Sequence, residues 1–404
     1  MVKRFNGKYD PVYFLASLGN GGLAITFFMY LMFLIKHPNT PMPLFEDIFI
    51  VLKGGNILNT IVTSLALIGI VFFTFQNLKY LIWNIKEYSV FKKTEAFLIL
   101  KNSNAEVSLM TIPLALAMTI NVLIVFAVVF IPNLWNFVEY MFPVAIFLFL
   151  LIGIYALKIF GEYFSRIIIN GDFDFDKNNN LSQMVSVFAF IMIAAGFSGP
   201  AAMSKIKAVS ALSMFLTLLF ASTALFILFI KTAISFKSIL EKGISKESAP
   251  GFLILIPILT ISGIIIVRMT AGISHNLLHS KPDTILLFVV LSVIISIQGL
   301  VAFVGSLILK KTGYMAEFVH GKNINSQSFA LICPGVAFIV LSMFFIHWGL
   351  VKNALVEQFS IIYYLLLMPA VITQFKTIKT ISKINKNHFS KMTYLKETKN
   401  ENNV

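Results

Sequence analysis

Apolar stretches about 20 residues long recur from one end of this chain to the other. That is the length an α-helix needs to cross a hydrocarbon core about 30 Å thick. Ten can be read, near residues 13–36, 56–78, 107–131, 138–160, 181–201, 207–230, 250–268, 283–308, 327–350 and 357–375. The 404 residues are 58% hydrophobic and 12% charged, where a soluble domain carries roughly 25% charged residues. In lipid every backbone N–H and C=O needs an internal partner, and long continuous apolar runs meet that need as helices. The expected class is an all-α polytopic membrane protein, with a single domain of ten helices over residues 1–375 and a basic tail over 376–404. No small-residue cleavage site follows the first stretch, which reads as a retained helix.

Lysine and arginine give the expected orientation, because cytoplasmic loops collect positive charge. Of the 32, 25 fall in the N-terminus, the even-to-odd loops and the C-terminus, and 7 fall in the other five loops. Both termini are therefore expected in the cytoplasm. The net charge of +14 then needs no nucleic-acid partner. Lys376, Lys379, Lys383, Lys386, Lys391, Lys396 and Lys399 would lie beside an anionic inner leaflet. One cysteine excludes an internal disulfide and a cysteine metal cluster. Heavy use of Lys, Ile, Asn and Phe accords with an AT-rich bacterial genome, so a bacterial inner membrane is the expected location.

Helix breakers concentrate in the odd-numbered helices. Helix 1 carries "SLGNGGLA" with Gly19 and Asn20, and helix 3 carries "SLMTIPLALAMT" with Thr111 and Pro113. Helix 5 ends in "AAGFSGPAAMS" with Ser198 and Gly199. Helix 7 holds "LILIPILTISG" with Pro257 and Thr260, and helix 9 holds "SFALICPG" with Ser328, Cys333, Pro334 and Gly335. A proline within a helix removes a donor and frees a carbonyl, which lipid tolerates only where other groups replace the bond. The even helices are smoother, although Pro143 and Pro369 interrupt two of them. The simplest arrangement is five hairpins, with odd helices inside around a path and even helices outside. Close helix packing through small residues is the plainer use of the same residues.

On these segments, with "YFLASLGNGGLA", "APGFLILIP" and "FALICPG" as the best local matches, the chain resembles the tellurite-resistance/dicarboxylate transporters, a family that includes the slow-type anion channels of plant guard cells. The resemblance implies ten helices in five hairpins, a pore lined by the odd helices of each subunit, and a homotrimer. In that family a phenylalanine before the proline of helix 9 plugs the pore. Here that position is Cys333, so a thiol replaces the ring. The stretch is also similar to the TsoY branch of selenoprotein-related membrane proteins, in which cysteine or selenocysteine would precede Pro-Gly.

No Asp or Glu lies in the middle of any stretch, which disfavours a proton or cation pump. A neutral path lined by hydroxyls and broken-helix N–H groups suits a small anion or neutral solute. The resemblance extends this to a sulfur, selenium or tellurium oxyanion. Candidate path residues are Gly19, Asn20, Thr111, Pro113, Phe197, Ser198, Gly199, Pro257, Thr260, Ser328, Phe329, Cys333, Pro334 and Gly335. Cys333 would stand at the constriction, with Phe329 or Phe197 filling the space a missing ring leaves. Arg268 would sit in an outer vestibule or snorkel to the interface. No cofactor motif is present, and no enzyme activity is expected. The alternative is a thiol-dependent enzyme or sensor that uses Cys333. His275 and His279 have one-face helical spacing but no third ligand nearby. Asp172, Asp174 and Asp176 in "DFDFDK" lack the glycine and glutamate of a calcium loop.

Overall fold

The computed structural model of the chain describes residues 5, 9–174 and 181–389. Ten of its helices are long and apolar enough to cross a membrane: Pro11–Leu34, Ile57–Phe91, Asn104–Phe130, Leu134–Asn170, Val185–Met203, Lys207–Lys242, Ala249–Leu277, Thr284–Lys311, Ser326–Val351 and Ile361–Phe389. Two short helices, Phe45–Lys53 and Glu95–Lys101, lie in the first two connections. No strand occurs among the described residues. The protein is an all-α multi-pass membrane protein.

Burial sorts the spans into two layers. The most hydrophobic windows of the odd spans are 89, 56, 94, 67 and 61% buried, and those of the even spans 33, 28, 39, 28 and 28%. The odd spans are therefore the inner layer. They close a ring in which the first packs on the third, the third on the fifth, the fifth on the seventh, the seventh on the ninth and the ninth on the first. The even spans pack outside them, the second against the first, the sixth against the fifth, the eighth against the seventh and the tenth against the ninth. Their outer faces expose Phe72, Phe75, Phe147, Phe215, Phe229 and Phe303 to lipid.

Four even helices run past their expected ends, to residues 91, 170, 242 and 389, because one face of each extension is buried. In the second span that face is Tyr80, Trp83, Asn84, Glu87 and Phe91. Residues 376–389 are correspondingly not a free tail. They continue the tenth helix and bury Ile381, Ile384, His388 and Phe389. Lys391, Lys396 and Lys399 lie outside the described residues.

The breaks in the odd spans also differ from a kink at mid-membrane. Each odd span enters from the side of the termini, here the terminal face, as a 3-10 turn that then becomes an α-helix. The turns are Pro11–Tyr13, Asn104–Met110, Ser182–Met184, Ala249–Ile254 and Ser326–Leu331. Pro113, Pro257 and Pro334 are each the third residue of the α-segment that follows. The first four N–H groups of an α-segment have no partner within it, so proline there gives up little. Side chains from neighbouring helices bond carbonyls along these segments. Thr111 Oγ1 donates to Pro11 O at 2.8 Å, Asn84 Nδ2 to Tyr13 O at 3.1 Å, and Gln298 Nε2 to Ile256 O at 2.9 Å.

Gly335 has a packing role. A Cβ at this position would lie 2.1 Å from Thr377 Oγ1 and 3.2 Å from Thr377 Cβ, so the missing side chain is what lets the ninth and tenth helices touch. Gly335→Ala is expected to cost about 1–3 kcal/mol by overpacking, read as a lower unfolding midpoint of the detergent-solubilised protein. Adding Thr377→Ala should recover part of the loss. An unchanged midpoint in Gly335→Ala would remove this role.

Candidate functional site

Among the described residues, two cavities lie within the bundle along the inner ring. The first, of about 300 Å³, opens among the 3-10 entrances and is lined by Asp10, Val12, Ser108, Thr111, Val185, Gly251, Gln327 and Ala330, among others. The second, of about 230 Å³, lies towards the far face and is lined by Gly19, Gly22, Asn121, Gly199, Pro257, Thr260 and Arg268 with a wall of apolar side chains. Two residues line both cavities: Phe188 of the fifth span and Cys333 of the ninth. They are 3% and 8% exposed, and the boundary common to the two linings, here the septum, is this phenyl ring and thiol. Cys333 is the second residue of its α-segment and Phe188 the fourth of its own, which sets the septum nearer the terminal face than the far one.

Of the residues expected along a path, Cys333, Gly19, Thr111, Gly199, Pro257, Thr260 and Arg268 line a cavity. The others do not. Asn20 turns its amide onto Ala16 O at 2.7 Å. Ser328 pairs with the Tyr314 hydroxyl at 2.8 Å. Pro113 and Pro334 sit at the helix junctions, and Gly335 faces Thr377. Phe329 is fully buried against Tyr13, His388 and Phe389. Phe197 stacks on Phe220 beside Phe149. Neither ring lines a cavity, whereas Phe188 lines both cavities together with Cys333.

Arg268 lies within the bundle. Its Nη1 donates to Ala195 O at 3.0 Å and to Ser198 Oγ at 3.3 Å. Ser198 contributes only through this contact, since its own hydroxyl donates to Ala195 O. Nε and Nη2 of Arg268 make no hydrogen bond, and no carboxylate pairs with it, among the described residues. Among the described residues, Arg268 is also the only charged one in the far-side lining. The terminal-side lining has, among the described residues, one charge, of the opposite sign, Asp10. Its carboxylate accepts from Val12 N at 3.0 Å and Ser326 Oγ at 2.5 Å. Burial raises the Asp10 carboxyl above the usual carboxylate range, against the downward pull of those two bonds.

The other charges singled out in the sequence tie helices together. Arg166 bonds Glu106 at 2.9 Å and also Asp172, while the Asn104 side-chain amide donates to Asp174 O and accepts from Asp174 N; Asp176 lies outside the described residues. His279 follows the π-turn Ile273–Leu277 that holds His275. Among the described residues no group of three His, Cys, Asp or Glu side chains could hold a metal ion.

Against family models and against curated proteins, the chain has no match.

Because Cys333 is the sole cysteine, thiol labelling reads the septum directly. A small water-soluble methanethiosulfonate reagent is expected to label the native protein slowly, and Phe188→Ala roughly tenfold faster by opening the far-side approach. Equal rates would show that Phe188 does not cover the thiol.

Proposed function

We propose that the chain is a channel or secondary transporter for a small anion, passed through the ring of odd spans with Phe188 and Cys333 at the constriction. The observation that carries this reading is the pair of cavities, one among the terminal-side entrances and one towards the far face, that share only those two residues. Arg268, without a carboxylate partner in the far-side cavity, gives the sign of the solute. Burying a lone guanidinium is costly, and an arriving anion offsets that cost. A neutral solute would offset less of it, because a dipole interacts with the charge more weakly than an anion does.

The family reading, with the tellurite-resistance/dicarboxylate transporters, rests on the five-hairpin ring and the helix 9 stretch. In this reading the family's plug has moved across the path, from the residue before the helix 9 proline to Phe188 of the fifth span. The homotrimer belongs to the same proposal, with even-span faces available for contacts between subunits. The excess of lysine and arginine at the terminal face supports placing that face in the cytoplasm of a bacterial inner membrane. The protein acts here as a conduit and not as an enzyme, with the Cys333 thiol serving as a small, polarisable wall of the path.

Anion flux in proteoliposomes tests this. Phe188→Ala should raise flux and Cys333→Phe, which restores a ring beside Phe188, should lower it, each by roughly an order of magnitude. Flux unchanged in both variants would remove the constriction from this place. Loss of flux in Cys333→Ala, which opens space, would favour the reacting thiol instead.

Asp10 adds a pH dependence. Its carboxylate repels an anion at the terminal-side mouth, and acid neutralises it. Flux should therefore rise as pH on that side falls through the raised Asp10 range, and Asp10→Asn should be fast and flat over the same range. A pH response that persists in Asp10→Asn assigns it elsewhere.

A further inference from the structure

Six methionines, Met29, Met42, Met118, Met141, Met192 and Met203, line the far-side cavity, out of sixteen in the whole chain. Cys333 closes its terminal-side end. Seven sulfur-bearing side chains thus surround one space whose single charge is Arg268. Thioethers are soft, polarisable groups with almost no capacity to replace an ion's water.

The polar groups in the lining are largely committed already. The Asn121 amide donates to Ala117 O at 3.1 Å and reaches Met192 Sδ at 3.9 Å. The Thr260 hydroxyl donates to Ala337 O at 3.1 Å. What remains for an incoming ion is the free side of the Arg268 guanidinium, itself more weakly hydrated than an ammonium. A small or multivalent anion would surrender a tightly held water shell and recover one partner. An anion with its charge on a large polarisable atom surrenders less water and gains dispersion contacts from the methionine wall. A soft cation finds sulfur here but no carboxylate, and it meets the fixed positive charge.

We propose that the far-side cavity is a binding site for a soft, weakly hydrated monovalent anion of the thiocyanate or iodide class, held by Arg268 within methionine walls. This rests on the conduit reading for how the anion arrives, but the binding itself can be measured apart from transport.

The test uses the purified full-length protein, with thiocyanate, iodide, chloride and silver(I) as probes in equilibrium dialysis. The same anions are then followed in proteoliposome flux. The variants are Met118→Leu/Met192→Leu/Met203→Leu, which keeps side-chain volume and removes sulfur, Arg268→Gln, and Arg268→Lys as the charge-retaining control. Thiocyanate and iodide are expected to bind at least roughly tenfold more tightly than chloride, a gap of about 1.4 kcal/mol. The triple variant should lose most of that preference while keeping chloride binding, and Arg268→Gln should lose both anions where Arg268→Lys keeps them. A preference unchanged in the triple variant overturns the proposal, as does silver(I) binding in place of the anions. Methionine-dependent thiocyanate binding without any flux would keep this site and sink the conduit. Flux without a methionine-dependent preference would do the reverse.

Discussion

Everything in this structure depends on keeping backbone polar groups paired where no water can serve them. An unpaired N–H or C=O in hydrocarbon costs several kcal/mol, so an inner helix can change type only where a neighbour supplies a bond. The neighbours do so. Asn77 and Asn84 of the second span reach Ser17 O and Tyr13 O of the first. Gln298 of the eighth span reaches Ile256 O of the seventh, and Thr260 of the seventh reaches Ala337 O of the ninth. The outer helices are lipid-facing on one side and act as donors to the inner ring on the other. That division lets the inner helices be irregular, and irregular entrances leave room for a cavity.

The same accounting separates structural polar residues from those that face a cavity. Asn20, Ser198 and Ser328 satisfy themselves within the wall. Arg268 satisfies one nitrogen on the fifth span and leaves the rest of its guanidinium towards the far-side space. With Asp10 in the opposite cavity, the two charges face different compartments across a septum that carries none. On the proposed reading, a solute crossing the ring would meet a positive site, then a neutral barrier, then a negative mouth.

Much of the architecture was legible in the sequence. Ten apolar runs, the charge alternation and the breakers in odd helices gave the helix count and the two layers, because lipid imposes a simple length and polarity code. The finer points lay beyond that code. Pro113, Pro257 and Pro334 were visible as breakers, but the 3-10 entrances before them depend on partners from other helices. Phe188 was hidden for another reason. The fifth span is apolar on every side and buried on every side, so no periodicity separates Phe188 from Phe190 or Phe197. The methionine wall is assembled from the first, third, fourth and fifth spans and the first connection, and only the folded ring brings it together. Gly335 read as a path residue beside Cys333, yet its partner, Thr377, lies 42 positions away.

The position of the septum has an electrical consequence. On the proposed path, wherever the two cavities hold water, the low-dielectric part of the route would shrink to the Phe188 ring and the Cys333 thiol. The membrane potential then falls over a few ångströms in place of about 30 Å. Moving one elementary charge through 100 mV is worth about 2.3 kcal/mol. A monovalent ion resting in the far-side cavity would have spent almost none of that, and one past the septum almost all of it. Two side chains would then set the voltage sensitivity of the whole path.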